Sequence, residues 1–300
     1  MKLKTVVAAL AFLIVSHSSN AQTAPRGNQS SLKLEVYTSS PRGYSVTSTI
    51  VSGPNAVMVI DPQFLLSEAR QVIARIRATG KPLTLIYSTH AHPDHMFGVA
   101  ALKEAFPNAR YVATPEAIER AKTGWPARRN FWVMEYGEAD LPSATAILAE
   151  PLPANNTLVF EGETLTVTKE VMGADGAGNS FVHIPSLNAV VAGDIVFHNS
   201  HFGIPADMAG WNATIARIEA LNPRILVAGH QTQSTNNEPK EAISFMRTYI
   251  AEIAAMKASS TSAMDYEKKI LAKFPNLALA DRTLPRTLTA AFPAPPAPQK

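Results

Sequence analysis

Apolar positions along the chain recur first with the two-residue period of strands, then with the 3.6-residue period of helices, and this alternation is run through twice. Runs rich in β-branched residues at Leu32 to Tyr37, Tyr44 to Val51 and Ala56 to Ile60 predict three strands, with Pro41, Gly43, Gly53 and Pro54 marking the turns. The period then changes. Leu65, Ala69, Val72, Ile73 and Ile76 share one helical face, and Gly80 and Pro82 end that helix. A strand at Leu83 to Ser88, a helix over Val99 to Ala105 and a strand at Arg110 to Ala113 follow. In the second half, strand-like runs at Thr157 to Phe160, Leu165 to Thr168, Ser180 to Ile184 and Ala189 to Ala192 precede a helix from Trp211 to Leu221. A strand at Ile225 to Ala228 and helices over Pro239 to Lys257 and Ala263 to Phe274 complete the pattern. No linker separates the halves. The pattern therefore predicts one α/β domain over residues 32–290, with two sheets each covered by helices on its outer face.

The ends depart from this pattern. Lys2 and Lys4, the apolar run Val6 to Val15 and the small residues around Ser19-Asn20-Ala21 read as a signal peptide over residues 1–21, followed by a linker over 22–31. The apolar run is too short to span a bilayer. The expectation is an exported protein, periplasmic or secreted, with no integral membrane segment after cleavage. Pro293, Pro295, Pro296 and Pro298 predict a disordered Pro-rich tail over residues 291–300. The formal net charge of +3 falls to +1 once Lys2 and Lys4 leave, and no basic stripe remains to suit nucleic acid. A small-molecule substrate is the expected partner. The absence of cysteine excludes disulfide scaffolds, thiolate zinc sites, iron–sulfur clusters and cysteine nucleophiles.

Candidate chemistry concentrates at Thr89-His90-Ala91-His92-Pro93-Asp94-His95, directly after a strand. Three imidazoles and a carboxylate in six residues suit borderline cations such as zinc. In a turn at a strand end, His90 and His92 can share one metal while Asp94 and His95 swing toward a second. This His-x-His-x-Asp-His motif resembles the signature of the metallo-β-lactamase superfamily. Val57-Met58-Val59-Ile60-Asp61 is similar to the family's early strand ending in a supporting aspartate. Val190-Val191-Ala192-Gly193-Asp194 is similar to the Gly-Asp whose carboxylate bridges two metals, and Leu226-Val227-Ala228-Gly229-His230 to the late Gly-His of the second site. The resemblance covers roughly residues 33–235 in the family's order. It implies an αββα four-layer sandwich holding two divalent metal ions, zinc by default. It also implies a hydroxide shared between the metals as nucleophile, with Asp94 orienting it and passing a proton to the leaving group.

One position departs from the family. Where a third histidine for the first metal is usual, this chain reads Gly173-Ala174-Asp175-Gly176-Ala177-Gly178-Asn179. The match to the family's strand puts Asp175 at the ligand position, as in the alkylsulfatase branch. His183 inside the strand is the rival candidate, and a turn-forming aspartate is the plain alternative. An aspartate there gives three carboxylates which, with the hydroxide, cancel the charge of two divalent ions. The site becomes a weaker electrophile and a better host for Mn²⁺ or Fe²⁺.

Two segments are candidates for the pocket. Thr123 to Leu141 carries Trp125, Arg128, Arg129, Phe131, Trp132 and Tyr136, which either wall the site or pack as a helical excursion on the core. His198 and His201 either reach the substrate, support the metals or belong to a surface loop. The resulting expectation is an exported metal-dependent hydrolase of an ester, lactone or sulfate ester. The alternatives are a β-lactam hydrolase or an iron-dependent redox enzyme of the same fold. Against the first stands Asp194 at the bridging position, where one type of β-lactamase has cysteine and another lacks the carboxylate. Against the second stands the lack of any flavin-like segment.

Overall fold

In the central strands, alternate residues enter different cores. Val57 and Val59 face one apolar cluster and Met58 and Ile60 another, while Val190 and its neighbours Ala189 and Val191 are divided in the same way. Sheets buried on both faces are the consequence. The computed structural model describes residues 31–203 and 207–292. The predicted signal peptide, nearly all of the predicted linker and the tail from residue 293 lie outside them. Among the described residues no helix is long and apolar enough to cross a membrane.

The first half contains β1 (Lys33–Thr38), β2 (Thr47–Ser52), β3 (Val57–Ile60), α1 (Leu66–Ala78), β4 (Leu83–Ser88), α2 (Val99–Ala105), β5 (Arg110–Ala113), α3 (Pro115–Tyr136) and β6 (Glu150–Pro151). The second contains β7 (Thr157–Phe160), β8 (Glu163–Gly173), β9 (Gly176–Ile184), β10 (Ala189–Val191), β11 (Phe197–His198), α4 (Met208–Ala220), β12 (Ile225–Val227) and β13 (His230–Gln231). Helices α5 (Pro239–Ala258), α6 (Ala263–Lys273) and α7 (Ala280–Ala291) follow. One sheet has the order β1-β2-β3-β4-β5-β6, the other β12-β10-β9-β8-β7, and β11 pairs with β13 in a short ladder. Helices α1, α2 and α3 cover the outer face of the first sheet, and α4 to α7 that of the second. Between the sheets, Met58, Ile60, Leu85 and Tyr87 meet Leu165, Val182, Ile184 and Val191. These are the four layers of an αββα sandwich.

The parallel pairs β3–β4 and β10–β12 place four strand C-termini along one edge of the sandwich, where ligands of open α/β sheets gather. Tyr87 and Ser180 tie the sheets beneath that edge, their hydroxyls 2.8 Å apart, and Ser180 also donates to the Thr89 carbonyl.

The structure corrects the predicted elements in three places and shows one segment left open to be helical. Strand β2 begins at Thr47 instead of Tyr44, because Tyr44 and Ser45 take left-handed backbone angles (φ 64° and 53°) that a strand cannot hold. Strands β8 and β9 extend to a tight hairpin at Ala174-Asp175, beyond the apolar runs that signalled them. Thr123 to Tyr136 is the greater part of one long helix, α3, despite Pro126 inside it. Helix α7 escaped the sequence reading because Pro285 looks like a helix stop; Leu284 and Leu288 anchor it on the second outer core.

Leu165 is fully buried between the sheets. Replacing it with alanine is expected to lower unfolding stability by about 2–5 kcal/mol, read as a shift of the denaturant midpoint with metal content held constant.

Candidate metal centre

Asp61 follows β3 with left-handed backbone (φ 59°), which turns its carboxylate back over the end of β4. There it accepts from the Thr89 amide at 2.7 Å and the Thr89 hydroxyl at 2.9 Å. Its Oδ2 also lies 2.9 Å from Nδ1 of His95. A single turn of 3₁₀ helix at Pro93–His95 reverses the chain, so that His90, His92, Asp94 and His95 all point to the same edge. His90 Nε2 then lies 3.1 Å from Asp175 Oδ2 and 3.8 Å from Asp194 Oδ2. His92 Nδ1 lies 2.8 Å from Asp94 Oδ1 and 3.4 Å from Asp175 Oδ2.

The second sheet supplies the rest. Gly193 has a φ of 52°, and a Cβ there would lie 2.5 Å from the Thr89 hydroxyl. A Cβ on Gly229 would lie 2.6 Å from Asp194 Oδ1. The two glycines thus let two loops close on each other and carry Asp194 and His230 inward. Asp194 Oδ1 sits 2.9 Å from His95 Nε2 and 3.2 Å from His230 Nε2. His230 Nδ1 is 2.7 Å from the Tyr44 carbonyl, and its ring stacks on Phe197.

The donors form two groups, His90, His92, Asp175 and Asp194 in one and Asp94, His95 and His230 in the other, each spanning less than 4.8 Å. Asp194 faces both, through different oxygens. His183 lies within β9, paired with Thr166 and Val190, and takes no part.

These donors fit divalent cations. Nδ1 of His95 faces a carboxylate and Nδ1 of His230 a carbonyl, both acceptors only, so each neutral ring donates there and presents an Nε2 lone pair. Those two lone pairs face each other at 3.3 Å. His92 Nδ1 and Asp194 Oδ1 are buried without a hydrogen bond, although each lies close to a group of the cluster. Lone pairs that converge without protons between them are satisfied by a cation. In the protein stripped of metal, protons must serve instead. Burial opposes charge on His92, but Asp175 and Asp94 outweigh it and push the imidazole up to about 9. His95 is raised well above its usual range and His230 is raised, again against burial, with Asp194 the strongest neighbour of each. Burial likewise works against the anionic forms of Asp94, Asp175 and Asp194, yet the facing imidazoles hold all three carboxyls low.

A family model described as the metallo-beta-lactamase superfamily matches residues 41–230. The chain belongs to that superfamily. A "probable metallo-hydrolase" of Streptococcus pyogenes serotype M6 is 38% identical over 63 residues, which are 21% of this chain and 26% of that relative's length. Among solved structures, a metallo-beta-lactamase family protein from Thermus thermophilus superposes with a TM-score of 0.58 at 16% identity, covering 83% of this chain and 91% of its own. A metallo-beta-lactamase from Pontibacter korlensis does so with a TM-score of 0.55 at 16% identity, covering 74% and 95%. At these identities the solved structures establish the fold.

The centre of this metallo-β-lactamase-superfamily protein opens into a narrow cleft of about 90 Å³. Tyr44, Phe64, Trp132, Phe197 and Phe202 supply its apolar walls and Thr283 of α7 its rim. Of the predicted pocket residues, Trp132 alone lines this cleft. Trp125 packs on Phe97 in the core and donates to the Ser143 carbonyl, while Phe131 is 62% exposed. Arg128 donates to the carbonyl of Ala91 on the opposite flank. His198 and His201 correct the sequence expectation. Phe197 and Phe202 face the cleft, so their neighbours turn away, His198 toward Phe245 and His201 onto the Tyr249 hydroxyl at 2.8 Å. Burial pushes His201 down to about 4, leaving a neutral core histidine. Tyr44, Phe64, Phe197 and Phe202 went unread because they come from segments far apart in sequence, with no local period.

Two outcomes test the centre. Asp61→Asn, which weakens the acceptor behind His95, is expected to lower metal affinity about 10–100-fold by chelator competition. Affinity should also rise with pH, because a metal must displace the imidazole protons. For His92 the proton is present in both folded and unfolded chains below pH 6.5 and is lost from the folded chain only near pH 9. The stability that this proton gives the stripped protein is therefore full below pH 6.5 and disappears toward pH 9, the interval over which metal binding tightens. A flat affinity across that range would count against the assignment.

Proposed function

We propose that this metallo-hydrolase holds two divalent metal ions and cleaves an ester-like bond, with carboxylic esters and lactones ahead of sulfate esters, as an exported enzyme. The observation that carries the reading is Asp194, one carboxylate facing two donor groups. His90, His92 and Asp175 would hold one ion with it, and Asp94, His95 and His230 the other. Imidazole-rich donors favour zinc, and the additional carboxylate of Asp175 widens the choice to Mn²⁺ or Fe²⁺. When bound, such a pair supplies a Lewis acid and lowers the pKa of water toward neutrality.

The chain's own residues do the rest. Asp94 stands between His92 and His230 at the floor of the cleft, where its carboxylate can orient the attacking water by accepting a hydrogen bond and pass that water's proton on to a leaving alkoxide. Phe197, Phe202 and Trp132 keep water from the floor and accept an apolar group. The lining of this cleft contains no lysine or arginine among the described residues. Three carboxylates at the centre and no cation in the wall suit a neutral electrophile better than a sulfate or phosphate ester.

The test is a panel of aryl ester, lactone, aryl sulfate, phosphodiester and β-lactam substrates on the metal-loaded protein. Ester or lactone turnover is expected, abolished by chelation and restored by metal. Asp175→Ala should retain one ion per chain and lose at least 100-fold in kcat/KM, on the order of what removing one electrostatic contributor costs. Nitrocefin turnover at about 10⁴ M⁻¹s⁻¹ or more with esters untouched would replace this reading with that of a β-lactam hydrolase.

A further inference from the structure

His92 and Asp175 form a wall with a cleft on each side. The aromatic cleft lies on one side. The other is lined by His90, Ala91 and Asn179 and by two arginines of α3, Arg120 and Arg128. Positive φ angles of 91° at Gly176 and Gly178 fold the β8–β9 hairpin down against α3, where a Cβ on Gly178 would meet Glu116 and Arg120. The hairpin therefore closes the side of this second cleft.

Arg128 is the unusual group. It is half buried, and burial weakens its hold on the proton despite the nearby charges of Asp175 and Asp94. Its hydrogen-bond partner is a neutral carbonyl, that of Ala91, and among the described residues no carboxylate ion-pairs with it. A guanidinium carries five donors in a planar fork, so most of them are left for the cleft. Arg120 does have a partner, Glu116 one turn earlier at 3.0 Å, but that pair is exposed and weak. If Asp175 serves a cation at the centre, its charge is committed there and does not neutralise Arg128. A guanidinium drawn partly out of water and lacking an anion favours a ligand that brings one.

We propose that this cleft binds a carboxylate carried by the substrate, so that the scissile bond spans the His92–Asp175 wall with an apolar end in the aromatic cleft and a carboxylate end on Arg128. The proposal rests on the ester hydrolase reading and narrows its substrate class to half-esters of dicarboxylic acids or lactones bearing a carboxylate.

A matched pair of substrates tests it on the metal-loaded enzyme: 4-nitrophenyl pentanoate and mono-4-nitrophenyl glutarate, which share chain length and leaving group. The half-ester is expected to be favoured at least tenfold in kcat/KM, chiefly through KM. Because Arg128 also supports the turn between His90 and His92, its loss can slow both substrates. The ratio between them isolates the carboxylate, and Arg128→Ala should bring it to near one while Arg128→Lys restores part of it. Calorimetry gives a readout independent of turnover. Glutarate should bind at least tenfold tighter than acetate, which reports on the cations alone, and Arg128→Ala should remove the difference. Esters turned over without preference, with glutarate no tighter than acetate, would overturn the carboxylate cleft and leave the hydrolase standing. No ester turnover, with glutarate binding still dependent on Arg128, would sustain the cleft and remove the hydrolase.

Discussion

Asp194 places one oxygen 2.9 Å from His95 and 3.2 Å from His230 and turns the other toward His90, so that three loops from two sheets converge on one carboxylate. Such a junction is unstable in isolation, because buried anions and facing lone pairs repel or go unsatisfied. It holds because each partner is tied from behind. Asp61 grips Thr89 and His95, the Tyr44 carbonyl grips His230, and Gly193 and Gly229 give the two loops room to meet. The left-handed backbone at Asp61, Tyr44 and Ser45 belongs to this arrangement. Strain of that kind persists where surrounding contacts over-determine it, which is the situation at the edge of this sandwich.

The same edge sorts the surroundings of the centre by chemistry. One flank is built from aromatic side chains of both halves, the other from an arginine-bearing helix and a glycine-rich hairpin. Asp175, at the tip of that hairpin, faces both flanks as well as the metal donors. Its negative charge makes the centre less electrophilic than a histidine would, and the guanidinium of Arg128 nearby returns positive charge to one side only. A polar gradient across this edge of the sandwich follows from where these two charges sit.

Much of the site was legible because metal chemistry demands particular side chains at short spacing. His90, His92, Asp94 and His95 fall within one turn after a strand, and Asp194 and His230 each follow a glycine at a strand end. Those signals are local. Asp175 could be placed only by counting back from a strand, with His183 as a rival, and the hairpin geometry is what brings it 3.1 Å from His90. Of the aromatic cleft, only Trp132 lay in a segment that the sequence marked as a candidate wall. Trp125 and Trp132 look alike in sequence, two turns apart on α3, yet one fills the core beside Phe97 and the other walls the cleft.

By itself, then, the sequence determined the alternation of strands and helices, the two buried sheets it requires, and most of the side chains of a candidate metal centre, since periodicity and ligand chemistry both act over a few residues. Only the tertiary structure decided which face each aromatic presents, that His198 and His201 belong to the core, and that Arg128 beside the centre ion-pairs with no carboxylate among the described residues. Those outcomes depend on packing between segments distant along the chain, where burial and charge are properties of the assembled layers.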